Sequence, residues 1–446
     1  MGAGGRGADR VALLSEPRDR RDRVAVVGAG PGGLCAARWL GAHGIAYDLL
    51  ERNPRIGGIW DIDAPGSPMY ESAHFISSKT LSGFRDFPMP ESYPDYPGHR
   101  LILEYQRAYA DRHGLATRIE HGVAVERAEP DGTIGWRLHL AGGDVRRYSG
   151  LVLALGRQWT PKLPPLAAEF AGEAIHSSAY RSSRQLAGRR VLVVGGGNSG
   201  CDIAVDAGLA ASRALLSLRR GYWFIPKHVF GVPADVFGEK GPRLPAWLEQ
   251  RVLERVLKLL LGELTRLGLP APDHRLFETH PVLNSQILHS LAHGDVTVKP
   301  DVARFDGRTA VFADGSREDV DLVVFATGYR RLLPVLLPPE IHREGDVSEL
   351  YLHVFHRRRP DLFVVGFFET DAGSFPLIDR QCELLARVLD ARRRRPETAA
   401  AFARVAAGPT PDLRGGVRFL AVDRMANYVR SHPYAAALDR AIESMR

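Results

Sequence analysis

The chain has 446 residues and a formal net charge of +7, with 45% hydrophobic and 25% charged residues. That length is enough for two or three domains with their own cores. The positive excess is small and no basic stripe is interleaved with aromatic residues, so we expect no nucleic-acid partner. No apolar run reaches the roughly 18 residues that read as a membrane span, so we expect no membrane partner.

The cysteines and the first residues bear on the compartment. Cys35, Cys201 and Cys382 are far apart in the sequence and form no Cys-x-x-Cys pair. This usage is typical of a reducing compartment and argues against a redox disulfide, so we predict a cytoplasmic protein. Residues 1–22 are rich in Gly, Arg and Asp and lack an adequate apolar core, which favours a disordered leader over a signal peptide.

A buried strand at residues 24–27 leads into a glycine-rich turn and then into a helix at residues 34–44. In a Gly-x-Gly-x-x-Gly turn the first glycine allows the bend, the second admits a pyrophosphate, and the third lets the helix pack on the strand. The helix N-terminus then offers N–H groups to phosphate. The next strand, at residues 47–50, ends in an acid that can accept both ribose hydroxyls of an adenosine, unless it is simply a solvated surface residue. The predicted dinucleotide ligands here, which the family resemblance given below assigns to FAD, are Gly28, Ala29, Gly30, Pro31, Gly32, Gly33 and Glu51.

A second glycine-rich bend contains Gly58, Ile59 and Trp60, whose indole could lie against a flat ring. In this position, after a strand-tip acid, it resembles the second flavin-binding segment of glutathione-reductase-like folds. The aromatic and proline-rich residues 67–109 then predict a rigid pocket wall, or plain loop packing. The elements expected next are a helix at 101–113, a β-meander at 119–148, a buried strand at 151–156 and a proline hinge at 161–165.

A second copy of the glycine turn follows the buried strand at residues 191–194. Its partner strand, at residues 214–218, ends in two arginines where the first copy has an acid. An acid would repel a 2′-phosphate, whereas an arginine fork binds one, so the pair favours NADPH over the alternative of two solvated arginines. The predicted ligands in this copy are Gly195, Gly197, Asn198, Ser199, Gly200, Asp202, Arg219 and Arg220.

The remaining sequence predicts one long amphipathic helix and several further elements. An apolar stripe runs along residues 244–267 and favours core or subunit packing, including a possible homodimer, over a membrane-surface helix. Ala326, Thr327 and Gly328 end a strand at 321–325, where short side chains let the chain return against a cofactor. The other expected elements are a hairpin at 305–312, a strand at 363–367 and a helix at 376–389.

Phe170-x-Gly172-x-x-x-His176-x-x-x-Tyr180, between the two glycine turns, resembles the signature of the flavin-containing monooxygenases. The resemblance implies an α/β fold of two Rossmann-like domains, with an NADP domain inserted in a discontinuous FAD domain. We place FAD-binding parts at 23–165 and 316–446, the latter with C-terminal helices, and the NADP domain at 166–315 with a helical insertion at 244–268. The implied cofactors are FAD and NADPH.

The implied reaction is the oxygenation of an amine nitrogen or a sulfide sulfur of a small molecule by O₂, through a flavin C4a-hydroperoxide. Tyr180 stands where Baeyer–Villiger relatives carry Trp, and it favours this branch over ketone oxidation. An uncoupled NADPH oxidase and a redox-sensing binding protein remain open. A disulfide reductase is disfavoured without a cysteine pair, and no zinc-like Cys/His spacing is present.

Two departures from the family pattern concern the flavin surroundings. Ile76 stands where the family usually has Asn, and with Ser77 and Ser78 it forms the candidate catalytic segment beside the flavin. Glu369 stands where relatives often have Gln, and with Gln381 it completes the candidate cofactor contacts. His176 is expected to couple the domains rather than transfer a proton.

Overall fold

The computed structural model describes residues 16–241, 244–338, 343–344 and 346–446. Its strands are β1 (Arg18–Val27), β2 (Tyr47–Glu51), β3 (Ile119–His121), β4 (Val125–Pro130), β5 (Trp136–Leu140), β6 (Val145–Leu153), β7 (Glu173–His176), β8 (Arg190–Val194), β9 (Arg213–Ser217), β10 (His228–Val229), β11 (Val232–Pro233), β12 (Val296–Lys299), β13 (Val302–Asp306), β14 (Thr309–Phe312), β15 (Arg317–Asp319), β16 (Leu322–Phe325), β17 (Leu350–Tyr351), β18 (Phe355–His356), β19 (Leu362–Val364), β20 (Glu369–Thr370) and β21 (Tyr428–Val429). Its helices are α1 (Pro31–Ala42), α2 (His99–Arg112), α3 (Asn198–Ala210), α4 (Ala234–Glu239), α5 (Ala246–Leu261), α6 (Gln286–His293), α7 (Phe375–Arg394), α8 (Pro396–Ala407) and α9 (Ser431–Glu443).

The first sheet has a parallel centre in the order β19-β6-β1-β2-β3. The strands β17 and β18 extend one edge antiparallel, and β4 and β5 form the predicted meander with β6. Val24 and Val26 of β1 pack towards α1 and α7, while Ala25 and Val27 pack towards the meander. Both faces are therefore covered, which explains the unbroken apolar run of this strand.

The second sheet is parallel throughout, in the order β12-β9-β8-β16-β7. Because β16 lies between β7 and β8, the predicted domain boundary at residue 316 is wrong. The return to the first sheet comes after Phe325, not before β16. Sequence order concealed this, because β16 follows the small antiparallel sheet of β13, β14 and β15.

The two connections between the sheets run side by side. The Lys162 N–H donates to the Gly328 carbonyl at 2.9 Å, and the Arg330 N–H donates to the Thr160 carbonyl at 2.8 Å. These backbone bonds hold the outgoing and returning segments together beside the predicted proline hinge. They fix where the carboxyl end of β16 meets the first domain.

The predicted leader needs correction at its end. Residues 1–15 lie outside the described residues, but β1 begins at Arg18 rather than after residue 22. Its early residues pair with Arg146, Arg147 and Tyr148 of β6. The charged composition concealed this exposed extension of a buried strand.

The predicted helix at residues 244–267 is shorter and packs differently. The helix α5 ends at Leu261, and Gly262 follows with φ +69°. Its inward face includes Gln250, which donates to the Leu276 carbonyl, and Glu254, which accepts from the Leu276 N–H. Part of the apolar stripe stays at the surface: Val252 is 38% and Leu260 39% exposed, whereas Leu257 is buried. In the part of the chain that the structure describes, no helix is long and apolar enough to cross a membrane.

Candidate active site

The first glycine turn joins β1 to α1 with geometry that only glycine allows. Gly28 has φ +101°, and a Cβ there would lie 2.6 Å from the Ala154 carbonyl oxygen. A Cβ on Gly33 would lie 1.6 Å from the Gly28 carbonyl oxygen. No side chain caps the N-terminus of α1 at Gly30, so its free N–H groups can receive phosphate.

Glu51 is held at this turn by the backbone. It is 4% exposed, and its carboxylate accepts the Ala29 N–H at 2.6 Å and the Asn53 N–H at 2.8 Å. The acid is therefore anchored at the strand end where the sequence predicts a ribose contact. Next to it, the Arg52 guanidinium lies 4.1 Å from the centroid of the Trp159 indole ring, a pair that sequence reasoning missed.

The glycine-rich bend at Gly58–Trp60 packs directly on the first glycine turn, between β1 and α1. A Cβ on Gly30 would lie 3.5 Å from the Gly58 Cα, so the two backbones form a narrow cradle. Trp60 stacks on Phe75, with ring centroids 4.8 Å apart and planes 17° apart. Ile59 packs among side chains of the second domain. The bend therefore lies where both domains meet the first turn.

The second glycine turn repeats the geometry of the first. Gly195 has φ +113°, and a Cβ there would lie 2.6 Å from the Ala326 carbonyl oxygen. A Cβ on Gly200 would lie 1.9 Å from the Gly195 carbonyl oxygen, and no side chain caps α3 at Gly197. Ala326 thus supports this turn as Ala154 supports the first. Its predicted cofactor contact stays a prediction beside this supporting role.

Two predicted ligands in α3 are engaged elsewhere. Asp202 accepts from Asn284 Nδ2 at 2.6 Å and from the Tyr70 hydroxyl at 2.7 Å, and burial raises its pKa. Asn198 Oδ1 accepts the Leu283 N–H at 3.0 Å. These contacts give both residues a packing role, and their predicted cofactor contacts stay predictions. Asp202 ties the second domain to the aromatic segment of the first.

The strand-tip arginines are free to bind a ligand. Arg219 is exposed and Arg220 half-buried, directly after β9. Neither has a hydrogen bond or an ion pair within 4.0 Å among the described residues. The cations predicted to recognise a 2′-phosphate thus make no direct ion pair among the described residues, although Asp423 acts on Arg219 and Asp273 acts on Arg220 at longer range.

The candidate catalytic segment is held by the inserted region. The Ser78 N–H donates to Asp235 of α4 at 2.7 Å, a partner that sequence reasoning missed. The Ser77 and Ser82 hydroxyls are 2.7 Å apart. The Ser78 Oγ is buried without a hydrogen-bond partner, which fits a site that receives a polar ligand. The placement of half-buried Ile76 beside the flavin stays a prediction.

Gln381 does not offer its amide to a ligand in this structure. Its Oε1 accepts the Gly366 N–H at 2.9 Å, and its Nε2 donates to the Tyr434 hydroxyl at 2.6 Å. The side chain is fully buried. It braces α7, α9 and the loop after β19, and its predicted cofactor contact stays a prediction.

Glu369 lies in a charged cluster that the sequence did not predict. Arg424 Nε donates to its carboxylate at 3.0 Å, and Arg157 Nε lies 3.9 Å from the other oxygen. Burial alone would raise the pKa of Glu369, but Arg424 and Arg157 lower it to about 2. Burial and Arg424 lower the pKa of nearby His280 to about 3. At neutral pH the carboxylate is charged and the imidazole is neutral.

His176 connects the second sheet to the returning segment. Its Nδ1 accepts the Ser178 N–H at 3.0 Å, so its Nε2 carries the proton and donates to the Gly328 carbonyl at 2.9 Å. Burial lowers its pKa and keeps it neutral. Tyr180 is fully buried and donates to Asp206 of α3 at 2.8 Å. These contacts support the predicted coupling role.

The cysteines are all buried and free. Cys35 and Cys382 are neighbours in the fold despite their sequence separation: burial raises the pKa of the Cys35 thiol, and Cys382 beside it adds to the rise. Buried thiols of this kind are unreactive. The described residues contain no group of three His, Cys, Asp or Glu side chains placed to hold a metal ion.

Comparisons with known proteins agree with this paired-turn architecture. The family model described as flavin-binding monooxygenase-like matches residues 21–408. The chain belongs to this family. Indole-3-pyruvate monooxygenase YUCCA1 of Oryza sativa subsp. japonica is 34% identical over 360 residues, which cover 77% of the chain and 86% of the relative. Flavin-containing monooxygenase 5 of Rattus norvegicus is 30% identical over 412 residues, covering 86% and 76%.

A solved structure supports the fold of this flavin-binding monooxygenase-like chain. Cyclohexanone monooxygenase from Rhodococcus sp. Phi1, bound to NADP⁺, aligns with a TM-score of 0.68 and 18% identity over 85% of each chain. The family uses FAD with NADPH. No described side chain caps the helix that follows either glycine turn, and the assignment of one turn to each cofactor stays a prediction. The predicted fold class and flavoprotein character are thereby confirmed.

Proposed function

We propose that this flavin monooxygenase is NADPH- and O₂-dependent and oxygenates an amine nitrogen or a sulfide sulfur of a small molecule. The observation that carries the proposal is the pair of matching glycine turns, of which only the second has free arginines at its strand tip. These features support binding of an adenosine ribose at the first turn and of a 2′-phosphate at the second.

The protein's own contribution is binding, orientation and exclusion of water. Bound FAD would supply the redox and oxygen chemistry, which no side chain can supply alone. The α1 N-terminus would receive its pyrophosphate and Glu51 its ribose, while Gly30 and Gly58 leave room for backbone approach. Trp60 and Phe75 form an apolar wall next to this cradle.

NADPH would bind at the second turn. The α3 N-terminus would receive its pyrophosphate, and Arg219 and Arg220 its 2′-phosphate. Neutral His176 keeps the returning segment against this turn through its hydrogen bond to the Gly328 carbonyl.

Two other reactions are alternatives: Baeyer–Villiger oxidation of a ketone and uncoupled formation of peroxide. Tyr180 in the signature motif favours heteroatom oxygenation, but a Baeyer–Villiger reaction on a ketone uses the same cofactors. Ile76 would leave the oxygen-activating site without an amide donor, which favours uncoupled peroxide formation.

The deciding experiment incubates FAD-loaded protein with NADPH, isotopically labelled oxygen gas and a panel of amines, sulfides and ketones. Mass spectrometry should find one labelled oxygen in an N-oxide, hydroxylamine or sulfoxide. A labelled ester would select the Baeyer–Villiger alternative. Peroxide without any labelled product from the panel would select the oxidase.

A further inference from the structure

Three arginines surround a single carboxylate near the second glycine turn. Arg424 and Arg157 contact Glu369, and Arg331 interacts electrostatically with the same carboxylate. Arg331 is only 8% exposed, yet among the described residues it has no hydrogen bond and no ion pair within 4.0 Å. Arg331 is therefore largely buried without a direct partner, and its guanidinium nitrogens remain within reach of solvent.

The charges of this cluster do not balance. A guanidinium stays protonated in proteins, and a buried cation is costly unless it is paired. His280 is neutral. Two more carboxylates, Asp423 and Glu344, also act on Arg331. Asp423 is 77% exposed and paired with Lys162, and Glu344 is paired with Arg330. Burial lowers the pKa of Arg331, so the protein environment itself opposes the charge. An anionic ligand would remove this cost.

The position of Arg424 places such an anion beside the second glycine turn. Its Nη1 lies 3.6 Å from the place that a Cβ on Gly197 would occupy. Gly197 is the second glycine of the turn, where the missing side chain admits a pyrophosphate. The Tyr222 ring packs on Gly196. The positive charges of Arg424, Arg220 and Arg219 all act to lower the pKa of its hydroxyl. The cluster and the strand-tip arginines thus face one turn.

We propose that Arg331 and Arg424 bind the pyrophosphate oxygens of the nicotinamide nucleotide, and that Glu369 is a positioning residue that orients Arg424. The inference rests on the proposed use of NADPH. It assigns the pyrophosphate to residues that follow β16 and precede β21, in addition to the α3 N-terminus. Different arginines then bind the two phosphate groups of the nucleotide. Arg331 and Arg424 bind the pyrophosphate, and Arg219 and Arg220 bind the 2′-phosphate.

Calorimetric titration of the FAD-loaded protein with NADP⁺, NAD⁺ and adenosine 2′-phosphate tests this division. Losing a charge-assisted hydrogen bond should weaken NADP⁺ and NAD⁺ by the same factor, roughly 10- to 100-fold, in Arg331→Gln and Arg424→Gln. Adenosine 2′-phosphate, which has no pyrophosphate, should bind these variants as it binds wild type. Arg219→Ala should show the reverse pattern, with losses for NADP⁺ and adenosine 2′-phosphate only.

Thermal unfolding separates ligand binding from a structural role. Arg331→Gln removes a buried cation without a partner, so it should raise the melting temperature of the nucleotide-free protein while reducing the further rise caused by NADP⁺. A structural role would lower the melting temperature instead. Arg330→Gln is the matched control, because this neighbour is exposed and paired with Glu344; it should leave nucleotide affinity unchanged.

The outcomes distinguish the inference from the function on which it rests. If wild type forms oxygenated product and both variants bind NADP⁺ and NAD⁺ as tightly as wild type, the inference is overturned. It is also overturned if the variants raise only the KM of carboxylate-bearing substrates, since the cluster would then receive a substrate anion. If the variants show the expected binding losses but wild type oxygenates nothing, the proposed function fails and the phosphate assignment stands.

Discussion

Gly30→Ala should separate FAD binding from folding. Gly30 has φ −77°, which alanine adopts, and the new Cβ would meet the Gly58 Cα at 3.5 Å, an ordinary contact. Alanine caps a helix less well than glycine, which destabilises the folded protein. It also lowers the conformational entropy of the unfolded chain, which stabilises the folded protein. Because these effects oppose each other, the free energy of unfolding without FAD should change by less than about 1 kcal/mol. The methyl group would stand in the narrow gap that admits the pyrophosphate. Overpacking of roughly 1–3 kcal/mol corresponds to about 5- to 150-fold weaker FAD binding.

The assay is reconstitution of the FAD-free protein with FAD, followed by fluorescence quenching, alongside thermal unfolding without FAD. Gly98→Ala is a matched control, since Gly98 also caps a helix, α2, and its Cβ would meet only the Ala73 carbonyl oxygen, at 3.9 Å. It should leave FAD affinity unchanged. Gly33→Ala, with its Cβ 1.6 Å from the Gly28 carbonyl oxygen, should instead prevent correct folding. Wild-type FAD affinity in Gly30→Ala would refute the assignment of the first turn.

Three further predictions concern the second cofactor and the reaction site. Arg219→Ala should cost about 1.5–3 kcal/mol of NADPH binding and little of NADH binding; equal losses in a titration would show that it does not read the 2′-phosphate. Ile76→Asn should add a hydrogen bond worth about 1 kcal/mol and lower the peroxide released per NADPH consumed, up to about fivefold, whereas unchanged release would mean that Ile76 is not beside the flavin. Because the folded pKa of Glu369 is depressed to about 2 from 4.5, its contribution to stability is present above pH 4.5 and is lost as the pH falls towards 2. Acid unfolding of Glu369→Gln should be less steep in that interval, and a profile identical to wild type would contradict the ion cluster.

The parts of the fold set by local sequence were predictable. Gly28 and Gly195 each follow a buried strand, and the geometry that the turn demands is reproduced in both copies. The strand-tip residues Glu51 and Arg219 follow directly from their strands. Such features depend on neighbours within a few residues, so a single sequence reveals them.

The parts set by long-range contacts were not predictable. Arg157, Arg331, Glu369 and Arg424 come from four separate segments, and no spacing in the sequence connects them. The side chain of Gln381 has the chemistry of a ligand but is used internally, which only its contacts reveal.

The same holds for packing. The apolar stripe of α5 has a helical period, yet tertiary contacts of Gln250 and Glu254 decide which face turns inward. The position of β16 likewise follows from its pairing with β7 and β8, because adjacency in a sheet need not follow chain order.

The measurement that tests the central claim most directly is anaerobic mixing of the FAD-loaded protein with NADPH, followed by its flavin absorbance. Two nucleotide sites that serve one reaction predict rapid bleaching by NADPH, much slower bleaching by NADH, and return of the absorbance when oxygen is admitted. Bound FAD that NADPH does not bleach, or that NADH bleaches equally fast, would contradict the account.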